Sequence, residues 1–306
     1  MANKQLQRLK TISEFHRVRG LPSPEHPLIS LVDYETIKHS AANNTTSWVY
    51  DFYSLALKRN YGAKFKYGQQ EYDFDEGIMF FIAPGQVFSV EVADGQPTFH
   101  SGYILLIHPD FLWNTPLAAT IKQYGFFDYE ADEALFLSDK EETTIVSIFK
   151  NIRQEYCSNI DHFSQDVIIA QLELLLTYAD RFYHRQFLTR KVTNHKILAR
   201  LEHLLAEYFK GNNLAANGLP TVQFVAESLN VSPGYLSGLL KVLTGQSTQQ
   251  HIHDKLIEKA KEKLSGTALS VSEIAYELGF EHPQSFSKLF KSKTSTTPLG
   301  YRQSFN

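Results

Sequence analysis

Histidine and glutamate are the residues of this chain that could hold a catalytic metal ion, so their spacing is a first test for an enzyme. The strand-like part holds His100 and His108, with Glu91 as a nearby carboxylate, and none of them belongs to a His-x-His pair. The pair His251-Ile252-His253 lies in a predicted helix, where residues two apart point about 200° from each other. Side chains so oriented are poor ligands for one metal. The spacing predicts neither a metal site nor a cofactor.

Other patterns that carry covalent chemistry are also missing from the sequence. It contains no glycine-rich phosphate loop and no nucleophile elbow. The single cysteine, Cys157, excludes an internal disulfide and has no cationic neighbour in sequence, which fits an ordinary thiol in a reducing compartment. We therefore predict a protein of the cytoplasm that is not an enzyme.

Length and charge distribution divide the chain into two parts. At 306 residues it exceeds a typical single core, which predicts two domains. No stretch has the roughly 20 apolar residues of a membrane helix, and residues 1–10 are not followed by an apolar signal core, so no membrane partner is predicted. From Arg190 to Asn306 the net charge is +5, and in the first 189 residues it is −8. This asymmetry indicates that the two parts face different partners.

Short apolar runs separated by turn residues characterise the chain from about residue 28 to residue 112. Trp48–Lys58 alternates, Gly77–Val92 gives two runs around a Pro-Gly turn, and Gly102–Leu112 resembles a buried strand. Such punctuation is typical of an antiparallel barrel or sandwich. The polar residues 1–20 predict a loosely docked N-terminal arm.

Two helical patterns follow the strands. Lys140–Tyr156 has one apolar stripe, and Ser164–Gln186 has apolar residues over more than one face. Such a wide stripe favours one contact inside the subunit and a second with another subunit. We predict dimerisation through the second helix, with these contact residues: Leu172, Leu175, Ala179, Phe182. The basic residues 188–196 lack an apolar stripe and predict a linker.

The C-terminal part contains an internal repeat. Tyr235–Lys241 ("YLSGLLK") aligns with Ser285–Lys291 ("SFSKLFK") at an offset of 50, and Val225–Leu229 aligns with Ile274–Leu278 at an offset of 49. Each copy is a short helix, a tight turn and a second helix, which is the helix-turn-helix pattern. A joining helix of about 17 residues would span roughly 25 Å, which suits two helices about one duplex turn apart. Two such corners in a basic domain favour DNA binding over a purely structural role.

These motifs resemble the double helix-turn-helix domain of the AraC family of bacterial transcription regulators. The resemblance covers Leu219–Arg302 and includes "SPGYLSGLLK", "IAYELGF", "SFSKLFK" and the closing "PLGYR". The upstream strands resemble, less specifically, the cupin-like sensor barrel of many members. The resemblance implies an α+β multidomain protein. A cupin-like antiparallel β-barrel followed by helices would occupy residues 21–187, as a sensor and dimerisation domain, and an all-α DNA-binding domain would occupy residues 197–306.

In this family the second helix of each motif lies in the major groove with its first residues at base edges. The resemblance implies these base contacts in the first motif: Ser232, Gly234, Tyr235, Ser237, Gly238. In the second motif it implies the following contacts: His282, Gln284, Ser285, Lys288. Glutamine pairs with adenine and lysine donates to guanine, whereas a glycine has no side chain for a base. We predict that the second motif supplies most of the sequence discrimination. Gly238 either permits a close approach of the helix backbone to DNA, or its motif contributes mainly phosphate contacts.

The resemblance also implies phosphate contacts from four basic side chains: Lys241, Lys291, Lys293, Arg302. Two departures from the family pattern concern shape. Lys255 stands where an arginine is usual, which weakens any fork-shaped ion pair. Ser295 stands where a glycine is usual, which predicts a differently shaped final corner.

The function that follows is sequence-specific transcription regulation on double-stranded promoter DNA. The expected effect is activation, with a homodimer as the active state and RNA polymerase as a further partner. A small-molecule effector is expected in the N-terminal barrel, although Tyr53, Phe80, Phe88 and Tyr103 fit plain core as well as pocket lining. The alternative is a metal-dependent cupin enzyme or small-molecule-binding protein whose helical domain does not bind DNA. A third alternative is a helical protein–protein adaptor, against which the paired corners argue.

Overall fold

The computed structural model divides the chain into two compact units, Met1–Gln186 and Phe187–Asn306. It describes residues 5–37, 46–59, 66–67, 70–71, 77–89, 101–129, 133–158, 161, 163–189, 191–210, 214 and 217–305. The N-terminal unit combines sheets with helices, and the C-terminal unit is helical, so the protein is of the α+β multidomain class. Within those residues, no helix is both long enough and apolar enough to cross a membrane.

The strands of the N-terminal unit form two main sheets. They are β1 (Gln5–Leu9), β2 (Ile29–Asp33), β3 (Thr46–Tyr50), β4 (Tyr53–Arg59), β5 (Lys66–Tyr67), β6 (Gln70–Glu71), β7 (Ile78–Ile82), β8 (Val87–Ser89), β9 (Ser101–Ile107) and β10 (Leu135–Phe136). The large sheet has the antiparallel order β10-β7-β4-β9-β2. The small sheet has the order β1-β3-β8, in which β1 is parallel to β3. Strands β5 and β6 pair with each other.

The two faces of the large sheet bury different partners, because successive side chains of a strand point to opposite sides. On the inner face, Ala56 of β4 and Ile104 of β9 share a core cluster with Trp48 of the small sheet. On the outer face, Phe81 of β7 lies with its ring centroid 4.5 Å from that of Phe126. The inner face therefore encloses an aromatic core between the two sheets.

Residues 5–19 are integral to this core, which corrects the expectation of a loosely docked arm. β1 pairs with β3, and α1 (Ile12–Val18) begins at Thr11, whose Oγ1 accepts a hydrogen bond from the Glu14 amide. Ile12 and Phe15 are 0% and 2% exposed. The segment appears polar in sequence because a short amphipathic helix buries only one stripe.

Three further α-helices follow the strands β1–β9 of the N-terminal unit, and the last two are joined to each other and to the large sheet by polar contacts. They are α2 (Pro116–Thr120), α3 (Asp139–Tyr156) and α4 (Ser164–Thr189), whose last residues lie in the C-terminal unit. The Arg185 Nη2 atom donates to the Phe136 carbonyl of β10 at 2.7 Å and pairs with Glu141 of α3 at 2.6 Å. The four residues predicted as dimer contacts are buried within this single chain, at 1%, 0%, 0% and 6% exposure: Leu172, Leu175, Ala179, Phe182. Packing inside the subunit therefore explains why these four positions of α4 are apolar.

The C-terminal unit combines two long helices, of 20 and 19 residues, with several short ones. They are α5 (Lys191–Lys210), α6 (Val222–Leu229), α7 (Pro233–Thr244), α8 (Thr248–Gly266), α9 (Val271–Glu277), α10 (Pro283–Thr294) and α11 (Pro298–Gln303). Residues 188–196, predicted as a linker, are largely helical, because α4 continues to Thr189 and α5 begins at Lys191. The buried Asn194 side chain donates to the Phe187 carbonyl at 2.5 Å and so satisfies one of the last carbonyls of α4.

Candidate nucleic-acid interface

The two helix-turn-helix motifs, α6–α7 and α9–α10, have the same turn. In the first motif Asn230 has φ +55°, and the following amide of Val231 donates to the Ala226 carbonyl at 3.1 Å. In the second motif Gly279 has φ +81°, and the next amide donates to the Ala275 carbonyl at 3.0 Å. The residues that form the two turns are thus 49 positions apart, which is the offset found in the sequence.

The two turns differ in how closely other backbone approaches them. A Cβ atom on Gly279 would lie 2.6 Å from the Leu214 carbonyl oxygen and 2.9 Å from the Gly218 Cα atom. Backbone atoms cannot give way as a flexible side chain would, so glycine is required there by both space and φ. Asn230 is exposed and accepts the left-handed conformation with a side chain.

The first turn of α10 presents polar side chains to solvent. Four of the residues predicted as base contacts are exposed: His282, Gln284, Ser285, Lys288. The helix begins at Pro283, and the His282 side chain makes no capping hydrogen bond to it. Residues three and four apart share a helix face, so Gln284 and Lys288 lie side by side. This row combines amide, hydroxyl, imidazole and ammonium groups, which together can contact any base edge in a major groove.

The first turn of α7 is mostly committed to packing, which corrects part of the predicted contact set. Ser232 is 3% exposed, and its Oγ accepts the Tyr235 amide as the helix cap. The Tyr235 side chain is 1% exposed, with its ring centroid 5.1 Å from that of Phe187. The Ser237 and Thr248 hydroxyls lie 3.1 Å apart and share a hydrogen bond. Because Gly234 and Gly238 lack side chains, this turn offers bases little beyond its backbone.

The four basic residues predicted as phosphate contacts fall into two groups. Lys241 and Lys291 are exposed and make no hydrogen bond or ion pair with another described residue. Lys293 pairs with Asp254 of α8 at 2.8 Å. The Arg302 Nε atom donates to the Leu264 carbonyl at 3.1 Å, which joins α11 to the end of α8. Arg302 therefore stabilises the fold, and the first two lysines remain available to an anion.

Asp254 is a structural residue that the sequence pattern did not reveal. Its Oδ2 atom accepts a hydrogen bond from Gln246 Nε2 at 2.8 Å, and its Oδ1 atom accepts one from Lys293 Nζ. Gln246 precedes α8 and Lys293 lies near the end of α10, so the carboxylate connects the two motifs. These three residues have no common spacing, and no local signal identifies them.

The final corner has the same shape as the one after α7, so the expected difference at Ser295 is not found. Ser295 has φ +61° and Gly245 has φ +75°, and their amides donate to the Lys291 and Lys241 carbonyls at 2.9 and 3.1 Å. Serine pays a conformational cost in this region that glycine avoids. Lys255 pairs with Glu258 on its own helix at 2.5 Å.

The metal-ligand candidates that the structure describes each have a hydrogen-bonding neighbour close by in sequence. His251 Nε2 lies 2.9 Å from the Thr244 hydroxyl, and His253 Nε2 lies 2.8 Å from the Gln249 side chain. Burial lowers the pKa of both imidazoles. His108 Nδ1 accepts the Asp110 amide, whereas His100 and Glu91 lie outside the described residues. Across the described residues, no group of three or more His, Cys, Asp or Glu could hold a metal ion.

Comparison with known proteins places the same region in a family. A family profile described as a helix-turn-helix domain matches residues 225–304. The uncharacterized HTH-type transcriptional regulator YijO of Escherichia coli strain K12 is 31% identical over 86 residues, 28% of this chain and 30% of that protein. Several curated relatives are likewise matched over less than two thirds of their own length.

Two further relatives extend this comparison. The uncharacterized HTH-type transcriptional regulator YfiF of Bacillus subtilis strain 168 is 20% identical over 260 residues, 85% of this chain and 79% of that one. The solved C-terminal domain of the two-component response regulator yesN from Fusobacterium nucleatum is 32% identical, with 34% of this chain and 95% of that chain covered and a TM-score of 0.30. The resemblance found in the sequence is confirmed for residues 225–304, which form a helix-turn-helix domain of the AraC type.

Proposed function

We propose that this protein is a sequence-specific regulator that binds double-stranded promoter DNA through its C-terminal unit. The observation that carries the proposal is the exposed polar row at the start of α10, on the second of two matching motifs. α8, which joins the motifs, has 19 residues, and at 1.5 Å per residue it extends about 28 Å. This length suits two helices placed in major grooves about one duplex turn apart on one side of DNA.

The two motifs would contribute different contacts. We assign base discrimination to α10, through Gln284 and Lys288 with His282 and Ser285 beside them. We assign mainly phosphate contacts to the first motif, through Lys241 and the backbone at the start of α7. Lys291 would contact phosphate in the second motif. Direct tests of this division are single and double substitutions on the two helices.

Dimerisation is supported by a second, exposed stripe that begins at Phe163, just before α4, and continues along the first half of that helix. Phe163, Val167 and Leu174 are 58%, 41% and 43% exposed, and Ala170 lies between them. Their spacing of four, three and four residues is that of a coiled-coil seam. We propose that two copies pair along this seam, in place of the buried residues named from the sequence.

A Leu174→Glu variant tests the seam. We expect sedimentation to show a dimer for the wild-type protein and a monomer for the variant, because a carboxylate would be buried in the seam. Thr177 is exposed on the same helix, one turn beyond Leu174. A Thr177→Glu variant therefore tests how far the seam extends toward the C-terminal end of α4. A variant that still sediments as a dimer would exclude this face.

The N-terminal unit supports a sensor role. Its two sheets enclose an aromatic core, and we propose a cupin-like barrel that binds a small-molecule effector and thereby changes promoter binding. The regulator would then act in the cytoplasm as an activator, with RNA polymerase as its partner at the promoter.

Fluorescence anisotropy on labelled DNA from the promoter region upstream of its own gene tests DNA binding. We expect affinity to fall steeply with salt, because every neutralised phosphate releases counterions, and to exceed affinity for a shuffled duplex of equal length. Equal affinity for both duplexes together with no salt dependence would contradict the proposal.

A further inference from the structure

Most cationic side chains of the C-terminal unit are engaged within the unit itself. These lysines form an ion pair with a carboxylate: Lys210, Lys255, Lys259, Lys263, Lys293. Arg302 donates to the Leu264 carbonyl, and the Lys261 ammonium lies 5.8 Å from the Tyr301 ring centroid. Within the described residues of the unit, these lysines and arginines make no such contact: Lys196, Arg200, Lys241, Lys288, Lys291. Their charges are the ones left to face an anion from outside.

Three of these free cations lie on α7 and α10, where DNA contacts are already proposed, and the other two lie on α5. Lys196 and Arg200 are exposed and four residues apart, so they share one face of that helix. The core face, which includes the fully buried Leu201, is turned away from them. Toward the end of α5 the charge is balanced, because Glu207 pairs with Lys210 at 2.7 Å. The unbalanced positive charge of α5 is therefore on its first half.

Helix stability does not account for this pair of cations. No carboxylate stands three or four residues from either Lys196 or Arg200, so neither can form an ion pair along the helix. Like charges four residues apart repel each other and destabilise a helix. α5 also has no acidic residue in its first turn, where a carboxylate would be favoured by the helix dipole. The pair thus costs the free protein stability that a bound anion would recover.

The start of α5 lies beside the start of α7. The buried Asn194 side chain donates to the Phe187 carbonyl, and the Phe187 ring centroid lies 5.1 Å from that of Tyr235, the third residue of α7. Lys196 follows Asn194 by two residues, and Arg200 is one turn further along. The first turn of α7 is packed inward and offers DNA few side chains. Cations on the neighbouring helix would supply contacts that this turn lacks.

We propose that Lys196 and Arg200 bind phosphates of the DNA backbone beside the groove that α7 enters, as a third DNA contact of the C-terminal unit. This inference rests on the proposed function, because it takes duplex DNA as the partner. The two side chains are about 6 Å apart along the helix axis, so they can neutralise separate phosphates. Because phosphates carry no sequence information, the contact strengthens binding to all DNA and leaves discrimination to α10.

A double substitution in the full chain, Lys196→Gln with Arg200→Gln, tests this contact by fluorescence anisotropy. We expect affinity for the promoter duplex and for a shuffled duplex to fall by the same factor, about tenfold or more at low salt. The salt slope should fall by about two ions, one for each lost phosphate contact. The charge-keeping pair Lys196→Arg with Arg200→Lys should retain the wild-type slope.

The matched control is Lys210→Gln with Lys255→Gln. It removes the same charge from the same unit, but from lysines that are already paired with Glu207 and Glu258. A general effect of net charge would lower the salt slope equally in both double variants, whereas a direct contact predicts the loss for the α5 pair alone.

Neutral methylphosphonate linkages, placed one at a time along the promoter duplex, locate the contact. We expect some linkages to weaken binding of the wild-type protein and to leave binding of the Lys196→Gln, Arg200→Gln variant unchanged, because the variant no longer contacts them. Without DNA, this variant should unfold at a temperature no lower than the wild type, since both side chains are exposed and repel each other. A lower Tm would contradict their unpaired placement and, with it, the proposal.

The proposal is also wrong if the wild-type protein binds its promoter and the α5 double variant keeps the wild-type salt slope, or if the control pair lowers the slope as much. In both cases the regulator function stands. Wild-type protein that binds promoter and shuffled duplexes equally, with no salt dependence, would refute the regulator function and this contact together.

Discussion

The second and third residues of α7 are Gly234 and Tyr235, and those of α10 are Gln284 and Ser285. The tyrosine is buried against Phe187, whereas the two residues of α10 are exposed. Both helices nevertheless follow the same turn and end in the same left-handed corner. One backbone pattern therefore serves two purposes: the first helix anchors itself inside the unit, and the second offers side chains to the outside.

Gly279→Ala tests how much the two turns differ. Of the substitutions considered, it should lower the free energy of unfolding most. The new Cβ would meet the Leu214 carbonyl at 2.6 Å in a left-handed backbone. We expect the free energy of unfolding to fall by about 2 kcal/mol or more. Asn230→Ala, at the matching exposed position, should cost about 1 kcal/mol. Urea denaturation measures both, and equal losses would show that the turns are equivalent.

A double substitution on α10 tests which motif discriminates sequence. Gln284→Ala with Lys288→Ala should reduce the ratio of specific to non-specific affinity at least about tenfold, because base-edge hydrogen bonds are lost. The matched pair on α7, Gly234→Ala with Gly238→Ala, removes no side chain. Anisotropy with promoter and shuffled duplexes gives both ratios. A larger loss from the α7 pair would reverse the assignment.

Lys241 and Lys291 occupy equivalent positions in the two motifs, so substituting them tests a contact that the motifs are expected to share. Alanine at either should weaken binding to promoter and shuffled DNA alike, and reduce the salt slope by about one ion. Lys150→Ala, on an exposed face of the N-terminal unit, is the control. Loss of specificity from one lysine alone would indicate a base contact there.

Asp254→Asn should have the smallest effect. The substitution removes the ion pair with Lys293 and can retain the hydrogen bond from Gln246. Because the pair is partly exposed, we expect a loss of less than about 1 kcal/mol at low salt that disappears at high salt. A loss that persists in high salt would show that the carboxylate acts through packing between the motifs.

Local sequence rules predicted the parts of the fold that depend on neighbours in the chain. The capping box of Ser270 and Glu273 and the start of the last helix at Pro298 both follow from residue types a few positions apart. The burial of Tyr235 could not be predicted, because its partner Phe187 is brought to it by another helix. The placement of the Arg19 guanidinium over the Trp48 ring depends on a residue of β3 that lies 29 positions further along the chain. Side-chain roles were thus missed wherever tertiary contacts, rather than spacing, decide them.

The left-handed corners after α7 and α10 have a consequence for the origin of the unit. Beyond Gly245 and Ser295 the match continues, since Ser247 caps α8 and Thr297 caps α11 at the same offset of 50. α11 is therefore the counterpart of α8, shortened from 19 residues to 6. Each repeat therefore includes three helices, which is the arrangement that a tandem duplication of one ancestral segment would leave. The long helix α8, which joins the two motifs, is the third helix of the first repeat.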